Sequence, residues 1–323
     1  MSSQPTATPD NAPVPGASVS ASHRRHQPDL WKAVGWTMVS VLAFTATAIA
    51  GRSCRDHLTP MNMVFYRNFI SLVILLAAFR WLGISLSSLT SVQPWMQWGR
   101  ALLHFCGQWT WMTALLMIPL IELMAIEFTF PLLVALLAPL LLGEQLTRTR
   151  ILGALLGFAG TLVILFAPYL QKATGIAAPA FNSGTLFAMA CAVFFALNLI
   201  GSRYLMRRDG PLTLLLFMTV NHSILAFVLG FSSMKMPPAQ VVPWVLVLGI
   251  ASLAAHFALA RALLYADAVV VAPLDFVRVP LMVIAGVLLY NEPVQALALV
   301  GTLLVIGGNG INIWGEHKTK QAR

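Results

Sequence analysis

Charge is scarce in this chain. Only 10% of its 323 residues are charged, against 58% hydrophobic, where an ordinary soluble domain carries about 25% charged residues. That shortfall excludes a soluble globular fold and places the chain in a membrane. Cysteine is scarce as well. Cys54, Cys106 and Cys191 show no CxxC spacing, and two of them lie in apolar runs, which excludes a disulfide framework and fits buried thiols. No pair of His or Cys has metal-ligand spacing, so neither metal nor cofactor is expected. No lysine falls inside an apolar run, which excludes a retinal-type Schiff base. Residues 1–30 hold no apolar region behind a basic start, so no signal peptide is expected there.

What the chain has in quantity is apolar runs. They cover about 33–51, 61–81, 99–118, 121–142 and 150–168, then 184–204, 212–231, 243–263, 268–290 and 294–314. Each is long enough to span a bilayer, which takes roughly 17–25 residues. The predicted fold class is an all-α integral membrane protein with ten transmembrane helices in two inverted five-helix repeats. Displacing the sequence by 148 positions lays Glu127 on Asp275, Phe128 on Phe276, Glu144 on Glu292, Gly153 on Gly301 and Gly160 on Gly308. An intramembrane acid, a helix-end acid and two glycines survive in both copies, as in a duplicated membrane unit. The expected layout is a disordered tail over 1–30, repeats over 31–168 and 184–315, a connector over 169–183 and a tail over 316–323. The first tail holds five prolines and cannot form a core.

Basic residues orient the chain. With the N-terminus inside, thirteen Lys and Arg fall on cytoplasmic segments and four (Arg52, Arg55, Lys172 and Lys235) on the outer side. Both termini are therefore expected in the cytoplasm, in the cell inner membrane. The net charge of +9 reflects this bias, and no nucleic acid is expected as a partner. An odd number of helices per repeat inverts the second repeat, the arrangement of secondary transporters.

Three basic residues, Arg67, Arg261 and Arg278, fall inside spans, where a charge is costly unless paired or hydrated. Glu127 lies roughly 10 Å into the fourth run at 1.5 Å per residue, and Asp275 at the matching place in the ninth. Pro131 follows Glu127, while Pro273 and Pro280 flank Asp275. Matching proline-interrupted helices point to a binding site. Arg278 shares a helix face with Asp275 and could pair with it. Arg67 is a candidate counter-ion for Glu127, with Asn62, Tyr66 and Asn68 adding polar reach; the alternative is snorkelling to headgroups. Arg261 is expected to snorkel. Gln108 and His256 occupy equivalent repeat positions, and with His104, Asn198, Asn221 and His222 they form either a sparse lining or interhelical hydrogen bonds. The candidate substrate-binding set is Arg67, Gln108, Glu127, His256, Asp275 and Arg278. Glu144 and Glu292 read as architecture, with Asn291-Glu292-Pro293 as cap, acid and first-turn proline of the tenth helix.

The acid-to-proline fourth run, LLLGEQLTRTRILGALLGFAGTLVIL and its degenerate copy VLLYNEPVQALALVGTLLVIGGNGI resemble the EamA-type transporters of the drug/metabolite transporter superfamily. The resemblance covers about 33–314, and the second copy departs from it with Asn291 in place of Gly143. It implies a basket in which helices one to four and six to nine surround a central cavity. It further implies alternating access and movement of small metabolites such as amino acids, aromatic compounds, S-adenosylmethionine or riboflavin. The expected partners are a small-molecule substrate and the lipid bilayer, with a proton as candidate coupling ion and a homodimer as candidate assembly. The competing classes are an integral-membrane enzyme, against which the short loops poor in His, Asp and Ser constellations argue, and a non-transporting scaffold.

Overall fold

An apolar stretch in a bilayer has no water to satisfy its backbone, so it closes its hydrogen bonds internally as a helix. The computed structural model describes residues 29–142, 147–173, 182–206, 209, 211–266, 268–292 and 296–321, and the tail over 1–28 and Glu144 lie outside the described residues. The order is α1 (Leu30–Ser53), α2 (Pro60–Trp81), α3 (Pro94–Met117), α4 (Leu120–Glu127), α5 (Phe130–Leu142), α6 (Arg148–Ala173), α7 (Ser183–Met206), α8 (Pro211–Gly230), α9 (Val242–Tyr265), α10 (Ala268–Asp275), α11 (Arg278–Tyr290) and α12 (Ala296–Gln321). Short 3-10 turns fill the loops. Asp29 caps α1 by accepting from the Lys32 N–H at 3.2 Å, and Thr59 caps α2 through the Asn62 N–H at 3.3 Å. Proline opens α2, α3 and α9, where its missing N–H leaves no bond unmade.

Among the described residues, seven helical segments are long and apolar enough to cross a membrane. α3 is not among them although it has 24 residues, because it carries Gln97, Arg100, His104 and Gln108. The expected fourth and ninth spans are each interrupted. Both divide into a helix of 8 residues and one of 13. The breaks fall just after Glu127 and Asp275, with Pro131 and Pro280 in the first turns that follow. Each proline cannot donate to the carbonyl four residues earlier, so that turn opens. In the first break Leu132 N–H turns to Thr129 instead, and the released carbonyl of Phe128 accepts from Asn309 Nδ2 at 2.7 Å. Asn291 differs from its expected role as well. At φ 51° it is the left-handed C-cap of α11, not the N-cap of the next helix, and Asn is one of the few residues that tolerate that conformation.

The helix ends sort to two faces. At the N-terminal face, Lys32 and Trp36 of α1 meet Tyr265 and Arg261 at the end of α9. On the same face Asp209, between α7 and α8, accepts from Val92 N–H at 3.0 Å and Gln97 Nε2 at 2.7 Å beside α3. Trp31, Trp81 and Trp95 are exposed there, as in an interfacial aromatic belt. Arg261 bonds Tyr265 Oη at 2.9 Å, beside that belt. At the opposite face Asn62 donates to Ser233 O and Tyr66 to Lys235 O. These two side chains therefore tie loops and do not reach Arg67.

Within the bundle α1 runs along α9, α3 along α7, α2 against α8 and α9, and α6 along α12. Ser40 Oγ donates to Ala255 O and Ser71 Oγ to Gly249 O, each at 3.0 Å, bonding helices that apolar lipid would not drive together. The α6–α12 contact is backbone on backbone. A Cβ on Gly308 would stand 2.4 Å from Gly153 O, and one on Gly160 would stand 2.5 Å from Gly301 O. Gly308→Val is therefore expected to lower stability by about 3 kcal/mol, the upper end of ordinary overpacking, because a carbonyl cannot step aside as a side chain can. Melting of the purified variant checks this; an unchanged midpoint would show that the two helices separate freely.

Candidate functional site

The half of the bundle toward the opposite face is packed with apolar side chains. Met63, Met112, Leu115, Leu123, Met124, Leu248 and Met282 are fully buried there. The other half encloses a cavity of about 430 Å³. Its lining extends from Arg67, Trp111 and Glu127 near the midplane to Arg150, Leu263 and Ile313 at the N-terminal face. Arg67, Gln108, Glu127, His256, Asp275 and Arg278 all line it. Helix periodicity delivers them: His104, Gln108 and Trp111 share one face of α3, as do His256, Leu259 and Leu263 on α9.

Arg278 is the centre of the site. Its Nη2 lies 3.1 Å from Glu127 Oε1 and 3.1 Å from Asp275 Oδ2. Glu127 Oε2 accepts from Trp111 Nε1 at 2.6 Å. The rings of Phe44 and Phe128 lie 5.1 and 5.0 Å from the guanidinium carbon, within cation–π range. The contact ion pair of Glu127 is thus made by Arg278, and Arg67, the candidate offered by its depth, makes none with it. Both helix breaks make this possible, since each acid ends a short helix and Arg278 begins the longer one after it.

Arg67 is equally buried, at 4% exposure, so it does not snorkel. Its Nε donates to Ser252 Oγ. The Gln108 carboxamide oxygen, turned toward it, accepts from its two terminal nitrogens at 3.1 and 3.2 Å. His104 stacks on His222 with centroids 5.0 Å apart and meets His256 edge-on at 6.0 Å. His222 bonds Ala101 O at 3.0 Å and stands behind the lining. His256 Nδ1 donates to Ser252 O at 2.9 Å, which leaves Nε2 as an acceptor. Asn198 lines the cavity and Asn221 does not. Among the described residues, no group of three His, Cys, Asp or Glu is placed to hold a metal.

The chain's sequence matches the family model described as "EamA-like transporter family" twice, over residues 31–166 and 182–314. The chain belongs to the EamA-like transporter family. It is a multi-pass membrane protein. It is 24% identical over 286 residues to an S-adenosylmethionine uptake transporter of Rickettsia conorii, spanning 88% of this chain and 93% of that one. It is 27% identical over 294 residues to a riboflavin transporter of Vibrio cholerae, spanning 89% and 95%. A shorter match of 123 residues, at 36% identity, covers 38% of this chain and 41% of an aromatic amino acid exporter, YddG, of Ancylobacter novellus. A solved crystal structure shares the fold, with a TM-score of 0.61 at 22% identity, over 86% of this chain and 96% of that one.

A second cluster of this EamA-like transporter lies outside the cavity, and local sequence did not point to it. Arg52 ends α1, where it had the look of an outer-loop charge. Instead it is buried and donates to Leu115 O, to Ile118 O at 2.8 Å and to Glu292 Oε1. Glu292 Oε2 accepts from the Leu120 N–H at 2.7 Å. The acid is architectural, as expected, but it serves the start of α4 and not that of α12. Together they clamp α1, α3, α4 and the α11–α12 corner across the closed face. Trp111, Phe44, Phe128 and Asn309 are further site residues that sequence reasoning missed; the signal for Trp111 was its spacing from His104 and Gln108.

Proposed function

We propose that the protein is a secondary active carrier that moves a small metabolite across the cell inner membrane by alternating access, with both termini in the cytoplasm. The observation that carries this reading is the pair of matched helix breaks, each ending in an acid that lines one cavity. Broken helices at matching places in two halves are where transporters hold substrate. On this reading α4–α5 and α10–α11 each form one span, and the chain has ten spans in two inverted repeats over 31–168 and 184–315. Exchanging the repeats turns the α1–α9 contact into α7–α3 and leaves α2–α8 and α6–α12 unchanged, which is the packing observed. The cavity is open toward the cytoplasm in this state and plugged toward the outside.

The names of the relatives point to metabolites of the size of S-adenosylmethionine, riboflavin or an aromatic amino acid. Aromatic walls and charged groups of both signs suit an aromatic or zwitterionic substrate of this class. Glu127 and Asp275 share one guanidinium and both line the cavity. A proton is accordingly the proposed coupling ion.

The test is counterflow in proteoliposomes with a panel of those three substrate types, together with cysteine labelling for topology. At least one compound is expected to exchange. Lys235→Cys is expected to react with impermeant maleimide from outside the cell, and Ser87→Cys only after permeabilisation. Absence of exchange across the panel would sink the carrier reading, and the reverse labelling would sink the orientation.

A further inference from the structure

Of the three arginines that line the cavity, the two near its midplane end, Arg67 and Arg278, are in opposite situations. Arg278 is flanked by two carboxylates and covered on its planar faces by Phe44 and Phe128. With Glu127 and Asp275 it forms a cluster of one positive and two negative groups. Arg67 contacts a hydroxyl and a carboxamide, both neutral. Among the described residues no carboxylate lies within ion-pair distance of it. Glu127 acts on Arg67 only through space; a guanidinium with no acid in contact is costly inside a membrane, and the cavity is where a mobile counter-ion can reach it. Near the midplane the wall is therefore divided into a cationic corner at Arg67 and an anionic one at Asp275 and Glu127. Of the two acids Asp275 is the more open to the cavity, at 24% side-chain exposure against 6% for Glu127.

We propose that Arg67 receives the carboxylate of a zwitterionic substrate, and that Asp275 receives its cationic group. Arg278 holds the two acids in place and does not touch the carboxylate. The substrate class that follows is a metabolite with an amino-acid head group on an aromatic body. This rests on the carrier reading above and adds to it the direction in which substrate lies.

Binding of three related ligands to the purified full chain, by thermal shift and titration, tests the assignment. Tryptophan carries both charged groups, tryptamine lacks the carboxylate, and indole-3-propionate lacks the amine. Wild type is expected to bind tryptophan about tenfold more tightly than either analogue, the worth of one charge-assisted bond. Arg67→Gln is expected to remove the advantage over tryptamine while keeping that over indole-3-propionate. Asp275→Asn is expected to do the opposite, and Arg67→Lys to behave as wild type does. Equal wild-type binding of tryptophan and tryptamine overturns the proposal without any variant, so a misfolded substitution does not shield it. An Arg67→Gln protein that still prefers tryptophan to tryptamine overturns it too. If none of the three binds while another panel compound undergoes counterflow, the pole assignment falls and the carrier reading stands. If no compound exchanges, both fall.

Discussion

Arg278→Leu is expected to prevent accumulation of folded protein, and adding Glu127→Gln and Asp275→Asn is expected to restore it. Removing one member of a buried ion cluster costs about 3–5 kcal/mol, because the partners are left charged and unpaired. A folded domain has only about 5–15 kcal/mol in total, so the loss is a large share of what holds the bundle. Here two carboxylates lose the same counter-ion. Glu127 keeps only its 2.6 Å bond from Trp111, while Asp275 opens toward the cavity and water. Glu127→Gln alone should thus recover more of the yield than Asp275→Asn alone. Fluorescence-detected gel filtration and melting of each variant provide the comparison. The triple variant is expected to fold but not to exchange substrate. Normal yield of Arg278→Leu by itself would mean that the acids are hydrated or protonated, and the cluster would lose its structural role.

The second large effect is expected at the opposite face. Glu292→Ala leaves Arg52 buried without its ion partner and frees the Leu120 N–H at the start of α4. The loss is again about 3–5 kcal/mol for a broken buried pair. Its direction differs, however, because this clamp lies over the closed end of the cavity and not within it. Opening the far end requires α1 and the α3–α4 corner to part from the α11–α12 corner, and Arg52–Glu292 joins them. On the proposed alternating-access reading, weakening the clamp is expected to shift population toward the outward-open state. A Thr47→Cys reporter in the cavity is expected to be protected from external impermeant maleimide in the parent and labelled in Glu292→Ala. Arg52→Leu with Glu292→Leu should recover stability, since a well-packed apolar pair often replaces a buried ion pair without loss. Labelling that stays absent while the melting point falls would make the pair a staple with no part in gating.

Much of the site was legible because membrane physics makes charge conspicuous. Arg67, Glu127, Asp275 and Arg278 stood out against an apolar background, and the 148-residue displacement matched the acids to each other and Gln108 to His256. Which helix is long, where the apolar runs lie and which prolines interrupt them are local properties. Composition and periodicity therefore carry them. The polar face of α3 was readable for the same reason, although it lowers the hydropathy of that helix below an ordinary span.

Partnership was not local. Arg67 could have served Glu127 by depth alone, and only the meeting of the two breaks hands that acid to Arg278. Arg52 and Glu292 are 240 residues apart, and nothing near either one names the other. Asn291 read as the start of a helix until the backbone showed it ending the previous one. The sequence by itself determined a membrane-embedded helical bundle with acids at matching offsets, because those features follow from residue type and spacing. The tertiary structure alone decided which charges pair, and so left Arg67 at the cavity wall without an acid in contact. An ion pair depends on distances of a few ångströms between helices, and helix packing sets those distances.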